Sequence, residues 1–326
     1  MNEIFIYAFV FLVLFVLELL YFKIAKRYNI VDRPNSRSSH STVTLRGGGI
    51  IFYLAVLIYF LVSNFNYPWF FLGLSLMTII SFLDDILTLS NRVRLFVHFA
   101  SVLLLSHQLG LFNYSWYYLL FSFVFIVGII NAYNFMDGIN GITASYSLAI
   151  ILLLLIVDSN FDFIDTKFLI FSTLSLIVFS FFNFRNNAKT FAGDVGSVSI
   201  AFIIVFAIGS LIVKSGNIIY IMFLSVYGID TVWTIINRIL KKENIFKAHR
   251  SHLYQFLVNE AKQNKLIVSF SYGLLQFLVG LLVIWISNYN IRLQIVVSLS
   301  ILILLSIFYL SFKKIIYDKF VINKSV

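Results

Sequence analysis

The chain has 326 residues, 60% of them hydrophobic and 12% charged, and its mean hydropathy is +0.95. A soluble domain carries roughly 25% charged residues, so this composition excludes an ordinary soluble globule, and the absence of cysteine excludes disulfides and thiolate metal sites. The net charge of +10 would raise nucleic acid in a soluble protein, but in a membrane protein it reports where the basic loops lie.

A membrane-crossing helix needs about 20 mostly apolar residues. On that measure eleven segments are expected to cross, at about 4–22, 48–64, 67–83, 95–111, 115–131, 142–157, 167–183, 197–213, 218–237, 266–287 and 292–312. The first lacks a basic start and a small-residue cleavage site, so it reads as a span and not as a cleaved signal. No internal repeat or soluble linker interrupts the series. The fold class expected is an all-α integral membrane protein, one polytopic domain over residues 1–326.

Orientation follows from charge. With the N-terminus outside, 21 of the 24 Lys and Arg residues fall on the inward side, and only Lys167, Lys214 and Arg292 face out. That arrangement puts the C-terminus in the cytoplasm. It also accounts for the basic excess without nucleic acid.

The same parity gathers five polar segments on the inward face. Arg33 to Gly49 (RPNSRSSHSTVTLRGGG) follows the first span, and Asp84 and Asp85 end the third. Asn131 to Gly141 (NAYNFMDGING) follows the fifth, Gly193 to Ser197 (GDVGS) follows the seventh, and His249, Arg250 and His252 follow the ninth. A carboxylate at mid-bilayer costs about 2.5–3.5 kcal/mol even on lenient scales. Acids at helix ends escape most of that cost and stand beside both cytosol and lipid headgroups.

Each motif has a structural reading beside the functional one. Asp84-Asp85 could simply be a solvated helix end, or could attract a divalent cation or the nearby Arg92 and Arg94. Asp194 opens a helix, where it could serve as a cap or, with a phosphate present, hold Mg²⁺. His249-x-x-His252 fits phosphate contact better than a metal pair, given Arg250 between them and no cysteine. Gly47 to Gly49 suit close helix packing. His98 and His107 read as hydrogen-bonded interior residues. Asp230, within the ninth span, is either functional or part of a salt bridge or a wet helix interface.

Together the motifs resemble the polyprenyl-phosphate N-acetylhexosamine-1-phosphate transferase family (glycosyltransferase family 4). The resemblance runs from about Arg33 to Gln255 and keeps the family's order. It comprises DD-x-x-x-L (Asp84, Asp85, Leu89) with Arg94, then N-x-x-N-x-x-DG-x-x-G (Asn131, Asn134, Asp137, Gly138, Gly141), F-x-GD-x-GS (Phe191 to Ser197), and the late His/Arg loop. Arg37-Ser-Ser-His40, Arg46-Gly-Gly-Gly49 and His249 to Gln255 resemble the bacterial subgroup that starts O-antigen or capsule-type glycans. Thr88 stands where the peptidoglycan enzyme, phospho-N-acetylmuramoyl-pentapeptide transferase, has a lysine. That enzyme is the alternative within the family. Two departures stand out: Asn140 replaces an aspartate that reads uracil, and Val43 and Leu45 replace prolines near the basic turn.

The resemblance implies transfer of a sugar-1-phosphate from a UDP-sugar to undecaprenyl phosphate, with release of UMP, in the bacterial cytoplasmic membrane. It implies Mg²⁺, with Mn²⁺ as an alternative, held by Asp194. Asp84, Asp85 and Asp194 would be catalytic. Phe191 would stack on uracil with Asn140 at its edge, and Asn131, Asn134 and Asp137 would shape the nucleotide side. His249, Arg250 and His252 would hold the pyrophosphate, aided by Lys189 and Arg46. The lipid bilayer is a partner, nucleic acid is not, and a homodimer is left open. The rival from another class is a secondary transporter, which would need repeated halves and broken helices. A scramblase gives the acidic face no purpose.

Overall fold

The computed structural model describes residues 3–34, 39, 41–87, 89–245 and 249–320. Arg37, His40 and Thr88 from the motifs above, and Lys247 and Lys324 from the charge count, lie outside the described residues. The chain folds as a helical bundle: α1 Glu3–Arg27, α2 Ile50–Val62, α3 Pro68–Leu87, α4 Asn91–Gln108, α5 Trp116–Met136, α6 Ile142–Phe161, α7 Thr166–Asn183, α8 Gly193–Ser215, α9 Ser225–Leu240, the short α10 Leu253–Gln255, α11 Lys265–Ile286 and α12 Ile291–Phe320. A two-residue antiparallel hairpin, β1 Val31–Asp32 with β2 Thr44–Leu45, is the only sheet among the described residues.

All eleven apolar segments are helical, and nine stretches among the described residues are long and apolar enough to cross a membrane. The two that fall short have clear reasons. α2 has only 13 residues, and α4 interrupts its apolar surface with Arg92, Arg94, His98 and His107. A 3-10 turn, Ile218–Leu224, runs directly into α9, so Ile218–Leu240 forms one continuous span.

The apolar faces sort the helices into layers. The most apolar window of α8 is 83% buried and that of α12 only 11%, although both have mean hydropathy near 2.5. An all-round apolar helix is stable inside the bundle or against lipid alike, so contacts decide which it is. α8 packs against α2, α3, α5 and α6 and forms the centre. Small residues permit the closest approaches: Gly273 and Gly280 of α11, two turns apart, set their backbones against Ser145 and Leu153 of α6.

The five polar segments predicted to share one face do meet at one end of the bundle. Leu45 pairs with Thr190, Arg46 reaches Asp194, Asn140 bonds the carbonyl groups of Arg185 and Asn186, and the Tyr254 hydroxyl donates to the Phe135 carbonyl. Segments up to 148 residues apart thus close one site.

Candidate active site

The N-terminus of α8 organises the site. Its first N–H groups lack partners within the helix, and Asp85, from the last turn of α3, supplies them. The N–H groups of Asp194 and Val195 donate to the two Asp85 oxygens, each at 3.1 Å. Asp85 also pairs with Arg46 at 2.6 Å, and its side chain is fully buried. Asp84 turns the other way. It accepts the Leu89 N–H at 2.8 Å and pairs with Arg94 at 2.7 Å, its side chain 10% exposed. Asp194 keeps 25% exposure, with Arg46 at 3.1 Å on one oxygen and Arg94 at 4.0 Å from the other. Three aspartates thus stand in three environments, and Asp194 is the most open. Burial works against the Arg46 charge, but Asp85 and Asp194 outweigh it and hold the guanidinium above its ordinary value.

Backbone contacts position Arg46. The Gly48 N–H donates to the Phe191 carbonyl, the Phe191 N–H to the Leu45 carbonyl, and the Arg46 N–H to the Ile30 carbonyl. The Tyr21 hydroxyl donates to the Arg46 carbonyl at 2.5 Å. These bonds give the turn a stiffness that the replaced prolines would otherwise provide. Gly49 lies on Gly196: a Cβ on Gly196 would stand 2.6 Å from the Gly49 Cα, and one on Gly49 2.9 Å from the Ala192 carbonyl oxygen. Both neighbours are backbone and cannot rotate away. Gly49→Ala is therefore expected to destabilise the protein by about 1–3 kcal/mol through overpacking, read as a lower melting temperature in detergent.

The Asn131–Gly141 segment contributes unevenly. Asn134 donates to Ser197 at 3.2 Å, tying the end of α5 to the start of α8. Asn131 is exposed and bonds the Val127 carbonyl of its own helix, so it joins no other site residue by a hydrogen bond. Asp137 accepts from Thr143 at 2.6 Å. Burial, opposed by Thr143 and reinforced by Asp194, pushes its carboxyl up from 3.8 to about 6. Folding therefore favours protonated Asp137: its contribution to stability is fullest below pH 3.8 and is lost as pH rises through 6. At pH 7.5 Asp137→Asn should be more stable than the parent by about 1–3 kcal/mol. That advantage should shrink toward pH 4, as thermal melts across the range would register.

Asn140 and Phe191 line one cleft of ≈ 290 Å³, with Thr42, Asn187, Lys262 and Lys265 among its other walls. The Asn140 amide donates to the carbonyl oxygens of Arg185 (2.6 Å) and Asn186 (3.3 Å). The donor half of this side chain is thus committed to the cleft wall, and an aspartate could not make those bonds. Its amide oxygen is the half available to a ligand. Lys189 is exposed at the rim.

His249 and His252 lie with ring centroids 5.1 Å apart. Burial, reinforced by His252 and Arg238, pushes His249 down to about 4. Arg250 is exposed and pairs with Glu260 at 2.6 Å. Asp230 stands 3.1 Å from His252 Nδ1, within hydrogen-bond distance.

Some site residues are not legible in the sequence. Asn183, at the end of α7, accepts the Gly141 N–H at 2.7 Å and donates to the Thr190 carbonyl at 2.8 Å, joining two motifs. Nothing in its sequence surroundings marks it. Lys313 counts with the cytoplasmic tail by sequence, because the last apolar run stops at 312. The helix continues to Phe320, and Lys313 is 9% exposed, turned inward against α9. Among the described residues no three His, Asp or Glu side chains form a metal cage. One open carboxylate is the kind of ligand that a Mg²⁺ completed by phosphate oxygens and water would take, and the two arginines beside it suit the phosphates.

The fold and site define a polytopic membrane protein that gathers three aspartates and two arginines at one end of its bundle. Residues 67–213 match the family model described as Glycosyl transferase family 4. A Bacillus subtilis protein described as a probable undecaprenyl-phosphate N-acetylglucosaminyl 1-phosphate transferase is 26% identical over 306 residues, covering 84% of each chain. A Thermotoga maritima undecaprenyl-phosphate alpha-N-acetylglucosaminyl 1-phosphate transferase is 27% identical over 260 residues, 76% of this chain and 80% of that one. A Dictyoglomus thermophilum phospho-N-acetylmuramoyl-pentapeptide-transferase is 26% identical over 283 residues, 79% and 89%. Over residues 67–213 the chain is thus similar to glycosyl transferase family 4, and over most of its length to proteins described as polyprenyl-phosphate sugar-1-phosphate transferases.

Proposed function

We propose that this protein transfers an N-acetylhexosamine-1-phosphate from a UDP-sugar to undecaprenyl phosphate. The products are undecaprenyl-diphosphate-sugar and UMP, and the reaction opens a cell-surface glycan pathway at the inner face of the bacterial cytoplasmic membrane. The observation that carries this reading is the open Asp194 carboxylate between Arg46 and Arg94 at the N-terminus of α8. The N-terminus lies outside and the C-terminus inside, as the basic residues require.

An oxygen of the lipid phosphate forms a bond to the sugar-proximal phosphorus as the bond from that phosphorus to the UMP oxygen breaks. A phosphate monoester has a second pKa near 6, so the nucleophile is largely ionised at pH 7 and needs little proton removal. The catalytic task is to align two anions and neutralise their charge. Arg46 and Arg94 answer that need directly, and Asp85 fixes Arg46 against the start of α8. Asp84 holds Arg94. Phe191 offers an aromatic face to uracil, and the Asn140 amide oxygen accepts from a base N–H. Asp194 would hold Mg²⁺, or Mn²⁺, which neutralises charge on the pyrophosphate and the departing UMP when bound. His249 and His252 would contact the phosphates from the late loop, with the exposed Arg250 and Lys189 adding positive charge.

The test is UMP release by purified protein in nanodiscs with undecaprenyl phosphate, Mg²⁺ and a panel of UDP-N-acetylhexosamines. The panel includes the UDP-N-acetylmuramoyl-pentapeptide, because one relative carries that activity by name. Lipid-dependent release with a simple N-acetylhexosamine supports the reading. Release with the pentapeptide substrate alone would transfer it to the peptidoglycan reaction. Failure of release and of UMP binding together would end it. Asn131→Ala should stay within about threefold of the parent, since an exposed substitution clear of a site costs within about 0.5 kcal/mol. A larger loss in the same assay would put Asn131 in contact with substrate.

A further inference from the structure

The late histidine loop does not stand alone. Asp230, 1% exposed in the second turn of α9, accepts four hydrogen bonds. His252 Nδ1 (3.1 Å), the Leu253 N–H (3.2 Å) and the Thr234 hydroxyl (3.3 Å) reach one oxygen. The Tyr272 hydroxyl of α11 reaches the other at 2.7 Å. Beneath them Thr234 meets the Tyr309 hydroxyl at 2.9 Å, and Lys313 Nζ donates to Tyr309 at 2.6 Å and to Thr234 at 3.4 Å. An ionised carboxylate only accepts, so Asp230 fixes the proton of His252 on Nδ1 and leaves the other nitrogen to a ligand. That nitrogen, Nε2, is buried and has no protein partner. An unsatisfied buried polar atom costs free energy; the His252 ring lies beside that of His249, which in turn meets Phe135 at the end of α5.

We propose that Asp230 is a positioning residue for phosphoryl transfer. It clamps His252 through Nδ1 so that Nε2 faces the substrate's phosphates, where a proton on Nε2 makes it a donor to a phosphate oxygen, and the Tyr272 hydroxyl with the Lys313–Tyr309–Thr234 chain holds the clamp from α11 and α12. The proposal rests on the reading of His252 as a phosphate contact, and it adds an arm from beyond residues 67–213 to the site. The arrangement explains why an acid stands within an apolar helix: four donors, from His252, Leu253, Thr234 and Tyr272, satisfy its two oxygens. It also explains why α12, otherwise the least buried helix, turns a lysine inward.

A mutant cycle in nanodiscs tests it. kcat and KM for the UDP-sugar, and the Kd of UMP, are measured for the parent, Asp230→Asn, His252→Gln and the double variant, with melting temperatures for each. If Asp230 acts through His252, each single variant should lose about 100-fold in kcat/KM, and the double variant no more than His252→Gln alone. Tyr272→Phe, which removes one hydroxyl and leaves the dyad, should lose about three- to tenfold in the parent and nothing further in the His252→Gln background. An Asp230→Asn protein within threefold of the parent would overturn the proposal. So would losses that multiply in the double variant. If Asp230→Asn does not fold, the Tyr272→Phe pair decides by the same comparison. Should the parent release no UMP with any sugar yet bind UMP, the UMP affinities decide the coupling of Asp230 to His252 by the same comparison; with neither release nor binding, the transferase reading fails and the role proposed for Asp230 falls with it.

Discussion

Asp194→Asn is expected to lower kcat by about 10³-fold or more while leaving the fold intact, the scale on which loss of one preorganised electrostatic group slows a reaction. The geometry makes the prediction specific. Asp194 makes no hydrogen bond that caps its own helix, because Asp85 performs that task, and a quarter of its side chain is open. Asparagine keeps the size and loses the charge that a divalent cation requires. Melting temperature should change little, since the substitution removes a partly exposed charge between two arginines that retain Asp85 and Asp84. Lipid-dependent UMP release measured against Mg²⁺ concentration gives the result. Turnover near that of the parent at saturating Mg²⁺ would remove Asp194 from the metal role.

Asp85→Asn should fail in a different manner, losing stability and activity together. Its carboxylate is fully buried and serves three donors, two N–H groups of α8 and the Arg46 guanidinium. The amide can present only one oxygen, so its NH₂ would face a donor and Arg46 would lose its nearest counter-charge. Breaking one side of a buried pair costs about 3–5 kcal/mol, and the released Arg46 no longer stands beside Asp194. Activity should fall at least as far as in Asp194→Asn, with a clearly lower melting temperature. Asp84→Asn should be milder, because Asp84 is partly exposed and holds Arg94 from outside the cluster. Equal melting temperatures for the Asp84 and Asp85 variants would contradict this division. The adjacent aspartates are thus assigned as a buried brace and an outer tether, a distinction that the pair as written in sequence does not contain.

Some of the site is legible because its signals are local. DG-x-x-G, GD-x-GS and the triple glycine are short runs whose residue types announce a turn, a helix start and a close backbone approach, and all three occur in the structure. Other parts are not. Asn140 by its chemistry can donate and accept toward a base, but its donor is spent on Arg185 and Asn186, 45 and 46 residues away. Asn131 and Asn134 belong to one motif and are three residues apart, yet one bonds its own helix and the other crosses to α8. Hydropathy assigns Lys313 to the tail, because it scores an ammonium as polar wherever it points. The ammonium of that lysine lies over the Phe256 and Tyr309 rings and reaches the Thr234 hydroxyl.

The sequence by itself determined that this is a membrane protein, which segments are apolar helices, and that the polar motifs collect at one end. Transfer into lipid is nearly additive along a helix, and parity then follows from counting crossings. Tertiary structure decided which helices are central and which face lipid, which aspartate braces α8 and which stays open, and that Asp230 belongs to His252. Those outcomes depend on which side chains meet across 22 to 148 residues of chain. A buried charge has to find its partner in space, and neither composition nor periodicity records where that partner stands.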